Sequence, residues 1–299
     1  VPLGLGLAEL VAETRIPTIG HHHDFGWERK RFSVHAASDY LDAAFPPTLP
    51  SIHHVVINSF GARQLALRKG VSTTLIPNVM KFESPPEKPD KITRDFRKAF
   101  DIPDESTLLL QPTRIVPRKR IELAIELARR LDSNCVLLIS HTSGDEGSEY
   151  ERYLQEFARL LGVHTIFAAD RINKIRHFEN GELQSYALAD AYQQADLVTY
   201  PSLIAGVGDA FLEAIYYRRP IVINRYDVFR SDIEPKGFKV VAFDGFSEED
   251  MVKRVRSLLD DPPAQAEMVD HNYRLGGRYY SYRTLERQLV AVLDDSLSA

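Results

Sequence analysis

This chain of 299 residues has little cysteine, no long apolar run and no excess of positive charge. Cys135 is the single cysteine, so no internal disulfide can form, and such a composition is typical of a reducing compartment. We therefore expect a cytoplasmic protein. No apolar run approaches the ~20 residues that a membrane span needs. The formal net charge is −5 without a basic stripe, which argues against nucleic acid as a partner.

Two glycine-rich phosphate motifs are also missing. The chain contains neither GxGxxG nor GxxxxGK[ST]. Their absence argues against a dinucleotide-binding fold of the usual kind and against a P-loop NTPase.

Recognisable metal-ligand spacing is lacking as well. His21, His22 and His23 stand in a row, but neighbours on an extended chain point to opposite faces, and no HxxxH spacing accompanies them. A metal site would need ligands from elsewhere in the chain. The alternative, which we favour, is a histidine at a strand's carboxyl end that contacts substrate or hydrogen-bonds locally.

What the chain does contain is a regular alternation of short apolar runs and helical segments, which is typical of parallel α/β sheets. Three candidate strands precede residue 80, at Ile16–Gly20, Ile52–Asn58 and Ser72–Pro77. A fuller series of strands follows, at Leu108–Pro112, Val136–Ser140, Thr165–Ala168, Asp196–Tyr200, Ile221–Asn224 and Val240–Phe243. Helices are predicted between them, at Ile121–Leu131, Glu149–Leu161, Ser185–Gln194, Asp209–Tyr217 and Glu248–Leu259.

The two series of strands predict two α/β domains. Residues 1–80 form the first, which has few strands for a doubly wound domain, and residues 106–278 form the second. The stretch 81–105 is rich in proline and charge and is predicted to be a linker that contains a short helix. Residues 279–299 are predicted as a terminal helix.

A glycine-bearing loop follows one strand of the second series. The stretch Pro201–Pro220 reads PSLIAGVGDAFLEAIYYRRP. Small residues let a backbone approach a ligand, and the helix start that follows offers free N–H groups to an anion. Glu213 on that helix can accept hydrogen bonds from sugar hydroxyls if it faces the ligand. The alternative is a plain tight turn with Glu213 as a solvated helix charge.

A basic turn follows the first strand of the same series. It reads QPTRIVPRKR, in which Arg114 offers planar bidentate bonds to a phosphate and Lys119 adds a point charge. The polar loop His141–Asp145 and the pair Arg171–Ile172 follow two further strands, and the pair can offer main-chain contacts to a flat base. Together these loops suit a nucleotide diphosphate joined to a sugar. The alternative for the basic turn is a solvated surface.

These pieces resemble family 4 of the retaining glycosyltransferases, which have the GT-B fold. The matching segments are PTRIVPRKRIELAIELARRL, LLIS, ALADAYQQADLVTYPS and GVGDAFLEAIYYRRPIVINR, and in the first domain IPTIGHHHDF and HVVINS. The resemblance implies two Rossmann-like parallel-sheet domains, of which the N-terminal one is incomplete here and belongs to the acceptor side. It also implies that the terminal helix crosses back to that N-terminal domain.

The resemblance implies a role for several residues. Arg114 and Lys119 match an R-x4-K pair that binds the donor diphosphate and stabilises leaving-group charge, and Glu213 matches the second acid of E-x7-E, which holds the ribose. His23 matches a histidine near the transferred sugar, with Asp24 to orient it. We place the remaining donor-binding residues at Thr113, His141, Arg171, Ile172, Ala205, Gly206, Val207, Gly208 and Asp209.

The implied reaction is the transfer of a hexose from a nucleotide-diphosphate sugar to a sugar or another small hydroxyl acceptor, with retention at the anomeric carbon. Electrostatic stabilisation of the departing nucleotide would need no metal and no further cofactor. An incomplete first domain would expose sheet edge and apolar surface, so self-association is a further expectation.

Two positions depart from the family's pattern. Ala205 stands where the first acid of E-x7-E is expected, and Val207 stands where an aromatic residue is usual. Alanine cannot hydrogen-bond a donor sugar, so a binding protein that kept the fold and lost catalysis is an alternative. A sugar-nucleotide epimerase of the same fold is another, but the second half lacks the further acids and the histidine that it would need.

Overall fold

The computed structural model describes residues 2–28, 36–131, 134–144, 147–245 and 249–298. Asp145 of the predicted polar loop and Glu248 of a predicted helix lie outside these residues. The chain forms two compact units. The smaller one comprises residues up to Val79 together with those from Tyr280 onward, and the larger one is Met80–Tyr279.

Helices and parallel strands alternate along both units, which confirms the α/β class. The helices are α1 Pro2–Thr14, α2 Ser38–Ala44, α3 Ser59–Lys69, α4 Lys91–Ala99, α5 Glu122–Leu131, α6 Glu149–Leu161, α7 Leu188–Gln194, α8 Asp209–Tyr216, α9 Glu249–Leu259, α10 Pro262–Tyr279 and α11 Tyr282–Ser298. The strands are β1 Thr18–His22, β2 Ile52–Val56, β3 Thr74–Leu75, β4 Thr107–Gln111, β5 Cys135–Ile139, β6 His164–Phe167, β7 Ile172–Asn173, β8 His177–Glu179, β9 Glu182–Ala187, β10 Leu197–Tyr200, β11 Ile221–Asn224 and β12 Val241–Phe243.

The larger unit is built on a six-stranded parallel sheet in the order β12-β11-β10-β4-β5-β6. The strands β5 and β10 are buried along their whole length, as expected for a parallel sheet covered on both faces. The chain runs outward from β4 through β5 to β6 and then returns to place β10 on the other side of β4. The strand order therefore reverses between β4 and β10, and open α/β sheets bind ligands outside the carboxyl ends of strands at such a point.

The helix α5 is buried on more than one face, since Leu123 and Leu127 are buried as well as Ile125 and Ala128. The helix packs against β5 and also against α6 and α9. A helix enclosed on several sides loses the clean division into an apolar and a polar face.

The smaller unit carries a three-stranded parallel sheet in the order β1-β2-β3. One of its clusters joins Phe25, Val56 and Leu65, and another joins Val55, Ile76 and Val292 of α11. Successive residues of β2 point to opposite faces, so the two clusters lie on the two faces of the sheet.

The helix α3 is capped at both ends. Asn58, at the end of the apolar run, is the N-cap, and its side chain accepts a hydrogen bond from the Gly61 N–H at 2.7 Å. Asparagine is among the residues preferred at an N-cap, because its side-chain oxygen accepts from a free N–H of the first turn. Gly70 ends the helix in the left-handed conformation, with φ 69°.

A small sheet in the order β7-β9-β8 lies between β6 and α7, where the sequence reading placed a helix from Ser185. Glu182–Ala187 is a strand, and the helix begins only at Leu188. Asn180 and Gly181 join β8 to β9 with φ values of 51° and 84°. Positive φ at both central residues is the signature of an Asn-Gly hairpin turn.

The stretch 81–105, predicted as a linker, contains α4 and belongs to the larger unit. The Phe96 side chain of α4 is fully buried. Arg97 pairs with Asp196 at 2.8 Å, and the same carboxylate accepts a hydrogen bond from the Leu108 N–H at 2.8 Å. The helix is therefore fixed to the start of the central strands.

Candidate functional site

The loops that follow β4 and β10 meet at the point where the strand order reverses. The Leu203 N–H donates to the Arg118 carbonyl at 2.9 Å, which ties the glycine loop to the basic turn. Asn224 at the end of β11 donates to the Ser202 carbonyl at 2.9 Å and accepts from the Gly245 N–H at 2.9 Å. Gly245 follows β12, so the carboxyl ends of five adjacent strands, counting β5 described below, are fixed along one edge.

The basic turn rests on a buried row of polar side chains. Gln111 donates to the Thr113 hydroxyl at 2.7 Å and accepts from Thr199 of β10 at 2.6 Å. The Thr113 side chain is buried, so its hydroxyl supports the turn from below.

Arg114, Lys119 and His141 lie together at this edge. The Ile115 N–H donates to the Thr142 carbonyl at 3.1 Å, so the basic turn runs beside the loop after β5. A Cβ added to Gly144 of that loop would lie 3.8 Å from the Arg114 Nη1. Burial first, and then the charges of Arg114 and Lys119, lower the pKa of His141 below its usual 6.5. In the free protein His141 is thus a neutral imidazole between two cations.

The Ser140 hydroxyl is a hydrogen-bond partner of the His141 ring. Its Nδ1 lies 2.9 Å from the Ser140 hydroxyl. If the hydroxyl donates to Nδ1, Nε2 carries the imidazole proton and can donate to an anion. A neutral donor beside two fixed cations suits a diphosphate.

Tyr200 lies between the basic turn and the glycine loop. The Lys119 Nζ stands 5.2 Å from the centre of its ring, within the range of a cation–π contact. On the other side, a Cβ at Gly208 would fall 2.5 Å from the Tyr200 hydroxyl oxygen, and Gly208 has φ 81°. Only glycine fits there, both in conformation and in space.

The other residues of the glycine loop differ in exposure. Val207 is buried, whereas Ala205 and Gly206 are partly exposed. Gly208 is the N-cap of α8, and Asp209, its first residue, is exposed. The helix start therefore lies at the carboxyl edge of the sheet, as the sequence predicts.

Glu213 is partly buried one turn further along α8. Burial raises its pKa above the usual 4.5, and the charge of Asp209 adds to this rise. A hydrogen bond from the Tyr192 hydroxyl at 2.8 Å and the charge of Lys174 act in the opposite direction. The Glu213 carboxylate is thus held in place by a hydrogen bond in a partly buried position. It is not the solvated helix charge that the sequence left open as an alternative.

Arg171 directs its side chain toward α4. The guanidinium donates to the Ala99 carbonyl and lies 4.0 Å from the centre of the Phe100 ring. Its main-chain carbonyl accepts from the Tyr186 N–H at 2.9 Å. Since Ile172 pairs with Tyr186 in parallel at the edge of its sheet, the ladder turns the Ile172 amide and carbonyl outward. Ile172 is buried, and its main-chain contact to a flat base stays a prediction.

His23 and Asp24 belong to the smaller unit and are exposed directly after β1. The rings of His21 and His23 are 4.6 Å apart, while His22 points to the other face and bonds to His54 at 2.9 Å. The roles of His23 and Asp24 at the transferred sugar stay predictions. Within the described part of the chain, no three histidine, cysteine or acidic side chains are grouped to hold a metal ion.

The sequence reading missed Tyr192, Tyr200 and Lys174. Both tyrosines are fully buried and occur in apolar segments, so the pattern marks them only as core. Lys174 is exposed directly after β7, next to the small sheet that was not predicted. All three residues come close to Glu213 only through the tertiary fold, so the sequence pattern does not reveal them.

Comparison with known proteins agrees with this geometry. A family model described as glycosyl transferases group 1 matches residues 92–275. The chain belongs to this family. It is 34% identical to the mannosylglucosylglycerate synthase of Thermotoga maritima, over 95% of this chain and 70% of that protein. It is 35% identical to the protein of the same name from Petrotoga mobilis, over 78% of this chain and 58% of that protein.

Solved structures of other glycosyltransferases show the same GT-B fold. Anabaena Alr3699/HepE, crystallised with UDP-glucose, superposes with a TM-score of 0.74 at 13% identity, over 97% of this chain and 76% of that one. The sucrose-phosphate synthase of Thermosynechococcus elongatus superposes with a TM-score of 0.67 at 17% identity, over 99% of this chain and 71% of that one. At these identities the likeness establishes the fold. Among the described residues of this group 1 glycosyltransferase, no helix has the length and apolar character to cross a membrane.

Proposed function

We propose that this chain moves a hexose from a nucleotide-diphosphate sugar to an acceptor hydroxyl, with retention at the anomeric carbon. The observation that carries the proposal is the arrangement of charges where the strand order reverses. Arg114, Lys119 and His141 stand on one side of Tyr200, and the held carboxylate of Glu213 follows the glycine loop on the other. Cations for a diphosphate and an acceptor of ribose hydrogen bonds are thereby adjacent.

The proposed chemistry uses fixed charge. As the bond between the sugar and the diphosphate breaks, negative charge develops on the leaving oxygen, and Arg114 and Lys119 stabilise it. Prearranged charges in a site that excludes water are worth several kcal/mol at this step. We propose that no metal and no further cofactor is required.

The donor and acceptor are inferred from the relatives. Two of them are named for the synthesis of a mannosylglucosylglycerate, and we infer a hexose donor and a small sugar-containing acid as acceptor. Structures of Anabaena Alr3699/HepE contain UDP and UDP-glucose, so a nucleoside diphosphate is the part of the donor to test first.

A second candidate function is nucleotide-sugar binding without transfer. Ala205 favours it, because the methyl side chain cannot replace the expected carboxylate at the transferred sugar. Losing one contact that acts in the transition state costs a factor of about 100 or more.

Thermal unfolding with UDP, GDP and ADP and with their glucose and mannose conjugates tests the proposed donor site. A nucleotide at 100 times its dissociation constant should stabilise the protein by about 2.7 kcal/mol. Arg114→Ala and Lys119→Ala should abolish the shift. Arg159→Ala, which removes an exposed cation paired with Glu156, should leave it unchanged. No shift with any nucleotide would contradict both functions.

Transfer assays then separate the two candidates. Turnover by the native chain supports the transferase. Turnover that appears only in Ala205→Glu supports the binding protein.

A further inference from the structure

The carboxylate of Glu213 is held by a single fully buried phenol. The Tyr192 hydroxyl lies 2.8 Å from Glu213 Oε2 and 3.3 Å from the Ala210 carbonyl. A phenol has one proton to donate, and the shorter contact to a charged acceptor is the stronger hydrogen bond. Tyr192 therefore donates to Glu213.

Tyr192 is itself fixed from both sides. Its ring stacks on Tyr217 with 5.2 Å between ring centres and 16° between planes. At the start of the same helix, Asp190 accepts from the Ala187 N–H at 2.9 Å and pairs with Arg176 at 2.5 Å. The phenol thus reaches Glu213 from a helix whose start is held by a partly buried ion pair.

The charges around Glu213 come from several elements. Asp209 of the same helix disfavours the ionised carboxylate, and Lys174, after β7, favours it. Tyr200 and Tyr217 are the other titratable groups that interact with Glu213, and both carry pKa values raised mainly by burial, so they stay neutral. The Tyr192 hydroxyl is the one hydrogen-bond donor to the carboxylate that the described contacts include.

We propose that Tyr192 is a positioning residue for ribose recognition. Its hydrogen bond fixes Oε2 of Glu213 and leaves Oε1, together with a second lone pair on Oε2, to accept from the 2′-hydroxyl of the ribose of a nucleoside diphosphate. This inference rests on the proposed function, because it assumes that a nucleotide occupies the edge of the sheet. It adds a residue outside the basic turn and the glycine loop to the recognition of the donor.

A purely structural role for Tyr192 predicts a different result. If the phenol only fills space, Tyr192→Phe keeps the ring and its packing and changes ribose and deoxyribose binding alike. If it positions Glu213, the same variant lowers affinity only for ligands that carry the 2′-hydroxyl. The discrimination between a nucleotide and its 2′-deoxy counterpart is therefore the decisive readout.

The experiment is a calorimetric titration of the full chain with UDP, GDP and ADP and with the 2′-deoxy form of each nucleotide that binds. The native chain should prefer the ribonucleotide by about ten- to a hundredfold, the worth of a hydrogen bond to a charged group. In Tyr192→Phe the preference should fall below about threefold, while the 2′-deoxynucleotide binds as before. Tyr217→Phe, which removes the hydroxyl of the stacked partner, is the matched control and should keep the preference.

Two further measurements control for a folding defect and test the coupling of Tyr192 to Glu213. Thermal unfolding without ligand checks that Tyr192→Phe is folded. In a Glu213→Gln background, Tyr192→Phe should no longer change the preference, because the two residues act through one contact.

The pH dependence supplies a second, independent readout. Ribose preference should be lost as pH falls through the pKa of Glu213. Because the Tyr192 hydrogen bond lowers that pKa, the Glu213 carboxyl itself should titrate at higher pH in Tyr192→Phe, which NMR of the isotope-labelled carboxyl carbon measures directly.

The outcomes separate this inference from the proposed function. If the native chain prefers ribose and Tyr192→Phe keeps that preference and its pH profile, the role of Tyr192 is wrong and the donor site stands. If the native chain binds nucleotide without preferring ribose, the role of Glu213, and with it that of Tyr192, is wrong. If no nucleoside diphosphate binds, the proposed function fails and the inference fails with it.

Discussion

Replacing Gly208 by alanine should both destabilise the larger unit and distort the donor loop. Gly208 has φ 81° and ψ 121°, a conformation that costs a residue with a side chain about 1–3 kcal/mol. The new methyl would lie 2.5 Å from the Tyr200 hydroxyl oxygen and 3.1 Å from its Cζ. Crowding of this kind adds about 1–3 kcal/mol. We expect the free energy of unfolding to fall by about 2–6 kcal/mol.

Gly181 offers a matched control. It has φ 84°, and nothing lies within 4 Å of a Cβ placed there. Gly181→Ala therefore carries a backbone cost without any collision, and the double-mutant cycle below separates the collision with Tyr200 from the backbone cost at Gly208. Urea titrations give both free energies, and nucleotide titrations should show weaker binding for Gly208→Ala alone.

A double-mutant cycle tests the cause directly. Tyr200→Phe removes the hydroxyl oxygen, so the closest contact of the new methyl relaxes from 2.5 to 3.1 Å. In this background the loss of unfolding free energy caused by Gly208→Ala should be smaller than in the native chain by about 1 kcal/mol or more. The reasoning is refuted if Gly208→Ala is no more costly than Gly181→Ala, or if Tyr200→Phe gives no relief.

Three further predictions concern ionisable groups. Arg176→Met should lower the free energy of unfolding by about 3 kcal/mol in urea titrations, because it leaves Asp190 buried without its partner, whereas Arg159→Ala on the surface should change it by less than about 1 kcal/mol. Burial, followed by the charge of His54, lowers the pKa of His22 from 6.5 to about 4. The unfolded chain then binds more protons than the folded protein between these values, so stability should fall by up to about 3 kcal/mol as pH drops from 6.5 to 4. His22→Gln should remove most of that fall, and an equal fall in the variant would contradict the assignment. A diphosphate that neutralises the cations beside His141 should raise its lowered pKa, so calorimetry in buffers of different ionisation enthalpy should show proton uptake at mildly acid pH, and none in His141→Gln.

The sequence is sufficient to predict the sheet of the larger unit because its strands are short apolar runs between helices. Ile221–Asn224 agrees with the structure at both ends, and the other strands of that sheet agree to within about one residue, as boundary rules allow. Parallel strands bring their carboxyl ends to one edge, so the loops after β4 and β10 were expected to share a site. The contact between them, from Leu203 to Arg118, follows from the strand order.

The small sheet could not be predicted from apolar periodicity. The strand β8 is short and exposed, and the one buried residue of β9 is the polar Ser185, so neither strand has a buried apolar face that the sequence pattern could show. The turn Asn180-Gly181 was the available signal, since Asn-Gly favours a two-residue hairpin. The segment that follows, up to Gln194, favours a helix. The predicted helix therefore began too early, inside the strand.

The partners of the site residues were not predictable from the sequence. Glu213 was identified as a candidate, but its hydrogen bond comes from Tyr192, 21 positions earlier in the chain. Spacing along one helix does not specify which residue of another helix lies opposite. For the same reason the sequence did not reveal that Gln111 donates to the Thr113 hydroxyl beneath the turn, and the donor-binding role of Thr113 stays a prediction.

Proton NMR of the anomeric signals during turnover tests the central claim most directly. The chain would be mixed with the nucleotide sugar that binds and with a glycosylated glycerate acceptor. The account predicts that the donor signal decays only when acceptor is present, that an anomeric signal of the same configuration replaces it, and that Arg114→Ala slows both by a factor of about 100 or more. A product of inverted configuration would contradict retention. Tight donor binding without any product, from a chain that becomes active as Ala205→Glu, would contradict transfer by the native protein.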